Sequence, residues 1–429
     1  MIKTVEPALR LKGTITPPAD KSIAQRAALF AMLCDRTSQI TNYPVAEDPR
    51  TALACIRQLG AKVADDGVTV TITGTGRDNM AVPTGPVDCG NSGTVMRLLA
   101  GILAGAGIPA TLIGDASLSR RPMKRIIDPL ARMGAEIVSA EGGLPPLEIR
   151  HGNPLQPVRF RLPVASAQLK SCVLLAGLFG EDATQVVEPV STRNHTETML
   201  GLPVVREDGA NVISSSRRQV IPAQNLQIPG DFSAAAFWLV AGSIIPDSEI
   251  VMPSTGVNPT RTASMHILRR MGADIVDEAK DRTGNEPAAH LRVRSAPLKP
   301  TRIRPEEIPN AIDELPVLCV AMAFADGVSR ITGAEELRFK ESDRLEAIQQ
   351  VLEAAGVRVE GHRDGLTIYG EPGRKVRAAR HDSRHDHRIA MAAAILSLMG
   401  DAPSQIDNAE AASVSYPEFW AHLDTLAHR

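Results

Sequence analysis

Apolar positions along the chain recur in two alternating kinds of helical stretch. The first kind is amphipathic and ends on a glycine that leads into β-branched residues: IRQLGAKV at Gly60, LARMGAEI at Gly134, TMLGLPVV at Gly201, LRRMGADI at Gly272 and LEAAGVRV at Gly356. The intervals between these glycines are 74, 67, 71 and 84 residues, which marks them as one repeated phrase. Each glycine predicts a left-handed residue closing a helix, and the alternation after it predicts the next strand. Pro417–Ala427 predicts a sixth helix of this kind.

The second kind interleaves with the first and is apolar nearly all round: DKSIAQRAALFAML, GNSGTVMRLLAGILAG, SAQLKSCVLLAGLFG, GDFSAAAFWLVAG, IDELPVLCVAMAF and DHRIAMAAAILSLMG. With Ser22, Ser92, Gln168, Ser233, Asp313 and Arg388 as markers, the gaps are 70, 76, 65, 80 and 75 residues. A helix apolar all round is a buried helix, so each unit of about 70 residues would bury this one and expose the other. Strand pairs such as GVTVTITGTG and GLTIYGEPG complete a mixed α/β unit, and six units make two similar halves of three. The buried helices open with Ser, Gly, Asp and Lys, so their N-termini either gather around an anion or are ordinary caps.

At 429 residues the chain exceeds what one hydrophobic core serves, in line with two domains. Apolar residues make up 43% and charged residues 22%, which fits a folded protein and excludes a disordered one. The net charge is −2, with eight Phe, two Trp and three Tyr, too few cations and aromatics for a nucleic-acid stacking surface. The five cysteines, Cys34, Cys55, Cys89, Cys172 and Cys319, are scattered without a C-x-x-C pair and read as reduced thiols. MIKTVEPALRLKG lacks the apolar core of a secretory signal, and Ala234–Gly242 and Ala390–Gly400 fall short of the ~20 residues that span a bilayer. The expectation is a cytoplasmic protein without nucleic-acid or membrane partners.

Candidate chemistry sits at the openings of the buried helices. Lys21, Ser22 and Arg26 share one helix start, within reach of an anion held there. GNSGTVMR brings the glycine turn at Gly93 close to Arg97, but no G-x-x-x-x-G-K-[S/T] or dinucleotide fingerprint occurs. Ser119–Arg125 packs four cations ahead of a helix, either a solvated run or an anion site. Phe339–Arg344 alternates signs at another helix start, as a capping box would. Asp313 and Glu314 either open their apolar helix or are buried at a cost, which makes a carboxylate there a candidate proton carrier. His381, His385 and His387 with Asp382 and Asp386 are dense enough for a metal, yet H-E-x-x-H is absent, and an anion-facing role for His387 and Arg388 is the preferred reading.

Taken in order, PADKSIAQR, GNSGTVMR, GDASLSRRPM, SAQLKS, STRNHTE, the region of Asp313, FKESDRL, DHRIAM and SYPEF resemble the 5-enolpyruvylshikimate-3-phosphate synthase family over nearly the whole chain. The resemblance implies two similar domains, each of three repeated βαβαββ units in an inside-out α/β barrel, with the active site in the interdomain cleft. It implies domains of 18–229 and of 1–17 with 230–429. The implied reaction transfers the enolpyruvyl group of phosphoenolpyruvate to the 5-hydroxyl of shikimate 3-phosphate, in a monomer that is a glyphosate target, without metal or organic cofactor. By matching motif, shikimate 3-phosphate falls to Lys21, Ser22, Arg26, Ser166, Gln168, Arg193, Asp313 and Lys340. Phosphoenolpyruvate falls to Lys21, Gly93, Arg121, Gln168, Arg344 and Arg388. Asp313 is the implied base at the 5-hydroxyl, and Glu341 and Lys21, helped by His387, the implied proton carriers at the vinyl carbon. The chain departs from the family's commonest wording at Ala19, Gln25, Leu98 and Val414-Ser415.

Two rivals remain distinct from this reading. UDP-N-acetylglucosamine enolpyruvyltransferase shares the fold and donor but needs a loop cysteine in a P-G-G-C-like phrase, which is missing. A non-catalytic anion- or RNA-binding protein on the same scaffold would have no use for Asp313 and Glu341, because acids in an anion site oppose affinity.

Overall fold

A computed structural model describes residues 1–152 and 154–429, leaving aside the side chains of 279–283. The chain forms two compact units: Met1–Pro18, Pro229–Arg282 and Pro287–Arg429 make one, and Ala19–Ile228 with Thr283–Glu286 the other. The four residues 283–286 join the second unit although their neighbours belong to the first, and Glu286 meets His195 there. Each unit has its own hydrophobic core.

The repeat is visible strand by strand. In the Ala19–Ile228 unit, strand Val87–Asp88 leads into helix Gly93–Ala106, strand Ala110–Ile113, helix Lys124–Arg132 and the antiparallel strands Ile137–Ala140 and Leu144–Ile149, a βαβαββ run. The sheet has its first two strands parallel (Val87 opposite Leu112) and the rest antiparallel (Ala110 opposite Ile149, Ile137 opposite Ile149). Four four-stranded sheets share this order. The first repeat of that unit borrows its opening strand from the far end, where Leu226–Gln227 lies parallel to Ile40 and Thr41. The other unit is completed from the N-terminus in the same way. Arg10–Thr14 lies parallel to Glu249–Gly256, and Lys3–Val5 lies antiparallel to Ser404–Asp407. Among the described residues six sheets form, three to a unit.

The six apolar stretches are the buried helices Lys21–Leu33, Gly93–Ala106, Ala167–Gly177, Phe232–Ile244, Leu315–Ala323 and His387–Ser397. Their close packing needs small residues: a Cβ on Gly101 would stand 2.2 Å from the carbonyl oxygen of Cys172 in the neighbouring helix. The five glycines of the repeated phrase all have positive φ, from 63° at Gly201 to 100° at Gly134. One expectation fails. The helix before Gly201, His195–Leu200, is buried along nearly its whole length instead of exposed, because Glu197 pairs there with the fully buried Lys170. The family phrase SYPEF also serves packing: Tyr416 is buried, accepts a hydrogen bond from Trp238 Nε1 at 2.9 Å, and stacks edge-on with Phe419.

Candidate active site

Ordinary capping explains much of the polarity at the helix starts. Asp20, Ser92, Ser166, Asp231 and Asp386 each accept a backbone N–H of the helix they precede. The cations beside those caps are arranged differently in the two units.

In the Ala19–Ile228 unit the guanidiniums of Arg26, Arg97 and Arg121 rest on neutral acceptors. Arg26 donates to Thr196 Oγ1 at 3.0 Å, Ser171 Oγ at 3.4 Å and the Ser22 carbonyl at 3.1 Å. Arg97 donates to Gln168 Oε1 at 2.8 Å and the Gly93 carbonyl at 3.2 Å, and Gln168 donates on to Thr94 Oγ1 at 2.9 Å. Arg121 donates to Asn91 Oδ1 at 3.0 Å and Ser117 Oγ at 3.2 Å. Burial lowers the Arg26 and Arg97 guanidiniums to about 10, with Arg121 and Arg125 adding to the effect on Arg97, so both stay charged at neutral pH. Among the described residues these three guanidiniums have no hydrogen-bonded carboxylate, which leaves positive charge available to an anion. Lys21 differs, resting 3.3 Å from Asp48. The Ser119–Arg125 run divides: Arg121 turns inward, while Lys124 forms an exposed pair with Asp128.

The segment carrying Ser191 and Arg193 is pinned from several sides. Thr192 gives both its N–H and its hydroxyl to Glu188, and Glu188 and Glu197 each lie 2.6 Å from Lys170 Nζ. Thr196 holds Ser171 at 2.7 Å as well as Arg26. His195 Nδ1 sits 2.9 Å from Glu286 Oε1. Arg193 and Ser166 lie half-buried, and Ser166 caps its helix by accepting the Leu169 N–H, which leaves its hydroxyl proton to donate.

In the other unit the guanidiniums are held by acids. Arg344 is almost fully buried and faces three carboxylates: Asp386 at 2.8 Å, Glu341 at 2.6 Å and Asp313 at 3.5 Å. Burial alone would lower Arg344, but Glu341, Asp386 and Asp313 together hold it above its ordinary value. Burial works to raise Glu341, and Arg344 overcomes it, so the carboxyl is held below its ordinary value and is ionised at neutral pH. Asp386 also accepts from Ser342 Oγ at 3.0 Å and from the Arg388 N–H at 2.9 Å. Arg388 Nη1 lies 3.7 Å from Glu314, and His387 Nδ1 lies 4.0 Å from Asp386. Lys340 is 4.0 Å from Glu336 and half-buried. Asp343 keeps the capping role expected of its segment, accepting from Glu346 N at 3.0 Å.

The sequence-named residues therefore gather in two sets. Lys21, Ser22, Arg26, Gly93, Arg121, Ser166, Gln168 and Arg193 belong to one unit, and Asp313, Lys340, Glu341, Arg344, His387 and Arg388 to the other. Arg97 and Asp386 fall outside the residues that the motifs assign to a substrate, although both stand in the candidate segments. Their signals were an arginine one turn into an apolar helix and an aspartate directly before one. Among the described residues no group of three or more His, Cys, Asp or Glu is placed to hold a metal, and no helix is long and apolar enough to cross a membrane. All five cysteines are buried, and burial pushes Cys172 and Cys319 up to about 12.

This repeated two-unit α/β fold is shared with an enolpyruvyl transferase of known structure. The chain matches NikO, the enolpyruvyl transferase from Streptomyces tendae, with a TM-score of 0.76 over 99% of this chain and 97% of that one, at 18% identity a likeness of fold alone. The EPSP synthase from Acinetobacter baumannii matches with a TM-score of 0.89 and 36% identity, covering 99% of this chain and 98% of that one. A family model of EPSP synthase (3-phosphoshikimate 1-carboxyvinyltransferase) matches residues 5–423. The 3-phosphoshikimate 1-carboxyvinyltransferase of Salinibacter ruber is 46% identical over 100% of both chains, and that of Xanthomonas campestris pv. campestris 45% identical over 97% of this chain and 94% of its own. The chain belongs to the EPSP synthase family.

Proposed function

We propose an assignment of roles for the reaction of this family. The chain transfers the enolpyruvyl group of phosphoenolpyruvate to the 5-hydroxyl of shikimate 3-phosphate and releases inorganic phosphate, a step of aromatic biosynthesis. Both substrates carry a phosphate and a carboxylate, so the reaction needs many fixed cations. Lys21, Ser22, Arg26, Ser166, Gln168, Arg193, Asp313 and Lys340 hold shikimate 3-phosphate in this reading. Lys21, Gly93, Arg121, Gln168, Arg344 and Arg388 hold phosphoenolpyruvate. Arg97 joins them by fixing the Gln168 amide.

The addition step joins the 5-hydroxyl oxygen to C2 of phosphoenolpyruvate as a proton enters at C3. Elimination then returns a proton from the new methyl group and breaks the C2–O bond to phosphate. Asp313 takes the hydroxyl proton, Glu341 and Lys21 move the proton at C3 with His387 alongside, and Arg121, Arg344 and Arg388 stabilise the shifting charge.

The observation that carries this reading is the three-carboxylate surround of Arg344. A substrate carboxylate that takes over Arg344 removes the cation holding Glu341 ionised, and so raises that carboxyl toward the value a proton donor needs. Asp313→Asn tests the base assignment: turnover is lost with both substrates still bound, whereas near-normal turnover removes Asp313 from that role.

In the same reading residues 18–229 and the remainder form the two domains, and the chain is a cytoplasmic monomer that needs no metal or organic cofactor. Its phosphoenolpyruvate pocket is the one glyphosate contests. A net charge of −2 and the scarcity of aromatic residues support the absence of a nucleic-acid partner.

A further inference from the structure

Glu314 is fully buried at 0% exposure and stands directly before helix Leu315–Ala323, in the capping position. Its side chain makes no capping hydrogen bond, unlike the Asp or Ser at the same place before the other five buried helices. The carboxylate is used elsewhere. It accepts the hydroxyl of Ser233 and lies 3.7 Å from Arg388 Nη1. Ser233 Oγ itself accepts from Arg261 Nη2 at 2.6 Å, and Arg261 also pairs with Asp231 at 3.1 Å. Glu314 is thus fixed by a hydroxyl on one side and faces a guanidinium on the other.

A carboxylate is buried so completely only where cations and donors replace its water. The geometry toward Arg388 is an ion pair without a hydrogen bond, so it restrains the guanidinium without using up its donors. Arg388 is itself 9% exposed along its side chain, and its Nε has no hydrogen-bond partner among the described residues. We infer that Glu314 is a positioning residue for the phosphoenolpyruvate site: held by Ser233, it sets the orientation of Arg388 and leaves the remaining guanidinium donors free for an oxyanion of the donor substrate. This rests on the reading of Arg388 as a phosphoenolpyruvate residue.

Steady-state kinetics of the full chain tests it with Glu314→Gln, Ser233→Ala, Arg388→Lys and the Glu314→Gln/Arg388→Lys double variant. Glu314→Gln keeps the shape and removes the charge, and is expected to raise KM for phosphoenolpyruvate about tenfold while KM for shikimate 3-phosphate stays within about twofold. Ser233→Ala moves the same constant in the same direction by less, and carries the test alone should Glu314→Gln not fold. In the double variant Glu314→Gln adds less than about twofold to Arg388→Lys, because one acts through the other. An unchanged KM for phosphoenolpyruvate in folded Glu314→Gln or Ser233→Ala, or full additivity in the double variant, overturns the inference while leaving Arg388 in place. An unchanged KM in Arg388→Lys refutes the reading of Arg388 and the inference with it.

Discussion

Replacing Glu341 by glutamine separates two jobs that one side chain could do. Its carboxylate lies 2.6 Å from Arg344 Nη2, and its side chain is 38% exposed. Arg344 remains anchored without it, since Asp386 holds Nε at 2.8 Å and Nη2 at 3.3 Å. Folding stability should therefore change by less than about 1 kcal/mol, as for other partly exposed ion pairs. If Glu341 carries the proton at C3, its loss removes a contribution of about 10²–10⁴-fold in kcat, or roughly 3–5 kcal/mol of barrier. KM for phosphoenolpyruvate should stay level or fall, because Arg344 loses a competing carboxylate. The pH profiles supply a second check. Arg344 holds the free-enzyme carboxyl low, so the limb of kcat/KM for phosphoenolpyruvate that falls with rising pH, as expected of a donor that must be protonated, lies below the ordinary range of a glutamate, and the corresponding limb of kcat lies higher once substrate occupies Arg344. A kcat within tenfold of wild type, or a raised KM with kcat intact, would refute the reasoning and leave Glu341 as a mere neighbour of Arg344.

Three further outcomes follow from buried groups elsewhere. Lys170→Met strands Glu188 and Glu197, both nearly fully buried, and should cost about 3–5 kcal/mol in urea unfolding; a loss under about 1 kcal/mol contradicts the buried triad. Burial lowers His381 from 6.5 to about 4, so the unfolded chain binds a proton in that window and the folded chain does not. Stability from this group is complete above pH 6.5 and drains away by ~3 kcal/mol as the pH falls to about 4. His381→Gln should abolish that part of the acid loss, seen as the wild-type minus variant difference in unfolding free energy from pH 7 to 4, and parallel curves would contradict it. The five buried cysteines should resist thiol reagents in the folded protein and react on unfolding; a thiol that reacts in the native state, with loss of activity, would run against a cysteine-independent mechanism.

The repeat was legible because each unit must bury one helix and close another, and both demands write themselves locally: an apolar run, and a glycine where φ is positive. The cationic helix starts were legible for the same reason, as motifs a few residues long. Long-range pairing was not. Nothing in SAQLKS says that Lys170 meets Glu188 and Glu197, or in STRNHTE that His195 meets Glu286, 91 residues away. That is why the short helix ending at Gly201 was expected on the surface. Glu314 posed the question openly, as an acid in an apolar helix, but its answer lies with Ser233 and Arg388 on two other elements. Asp386 was hidden among histidines that suggested a metal, while its partners are Arg344 and Ser342.

The most direct test of the account is phosphate release by the purified protein given phosphoenolpyruvate, with and without shikimate 3-phosphate, in the presence of EDTA. Release that requires both substrates and is unaffected by the chelator is the predicted result. Release from phosphoenolpyruvate alone, or none with both substrates bound, would contradict it.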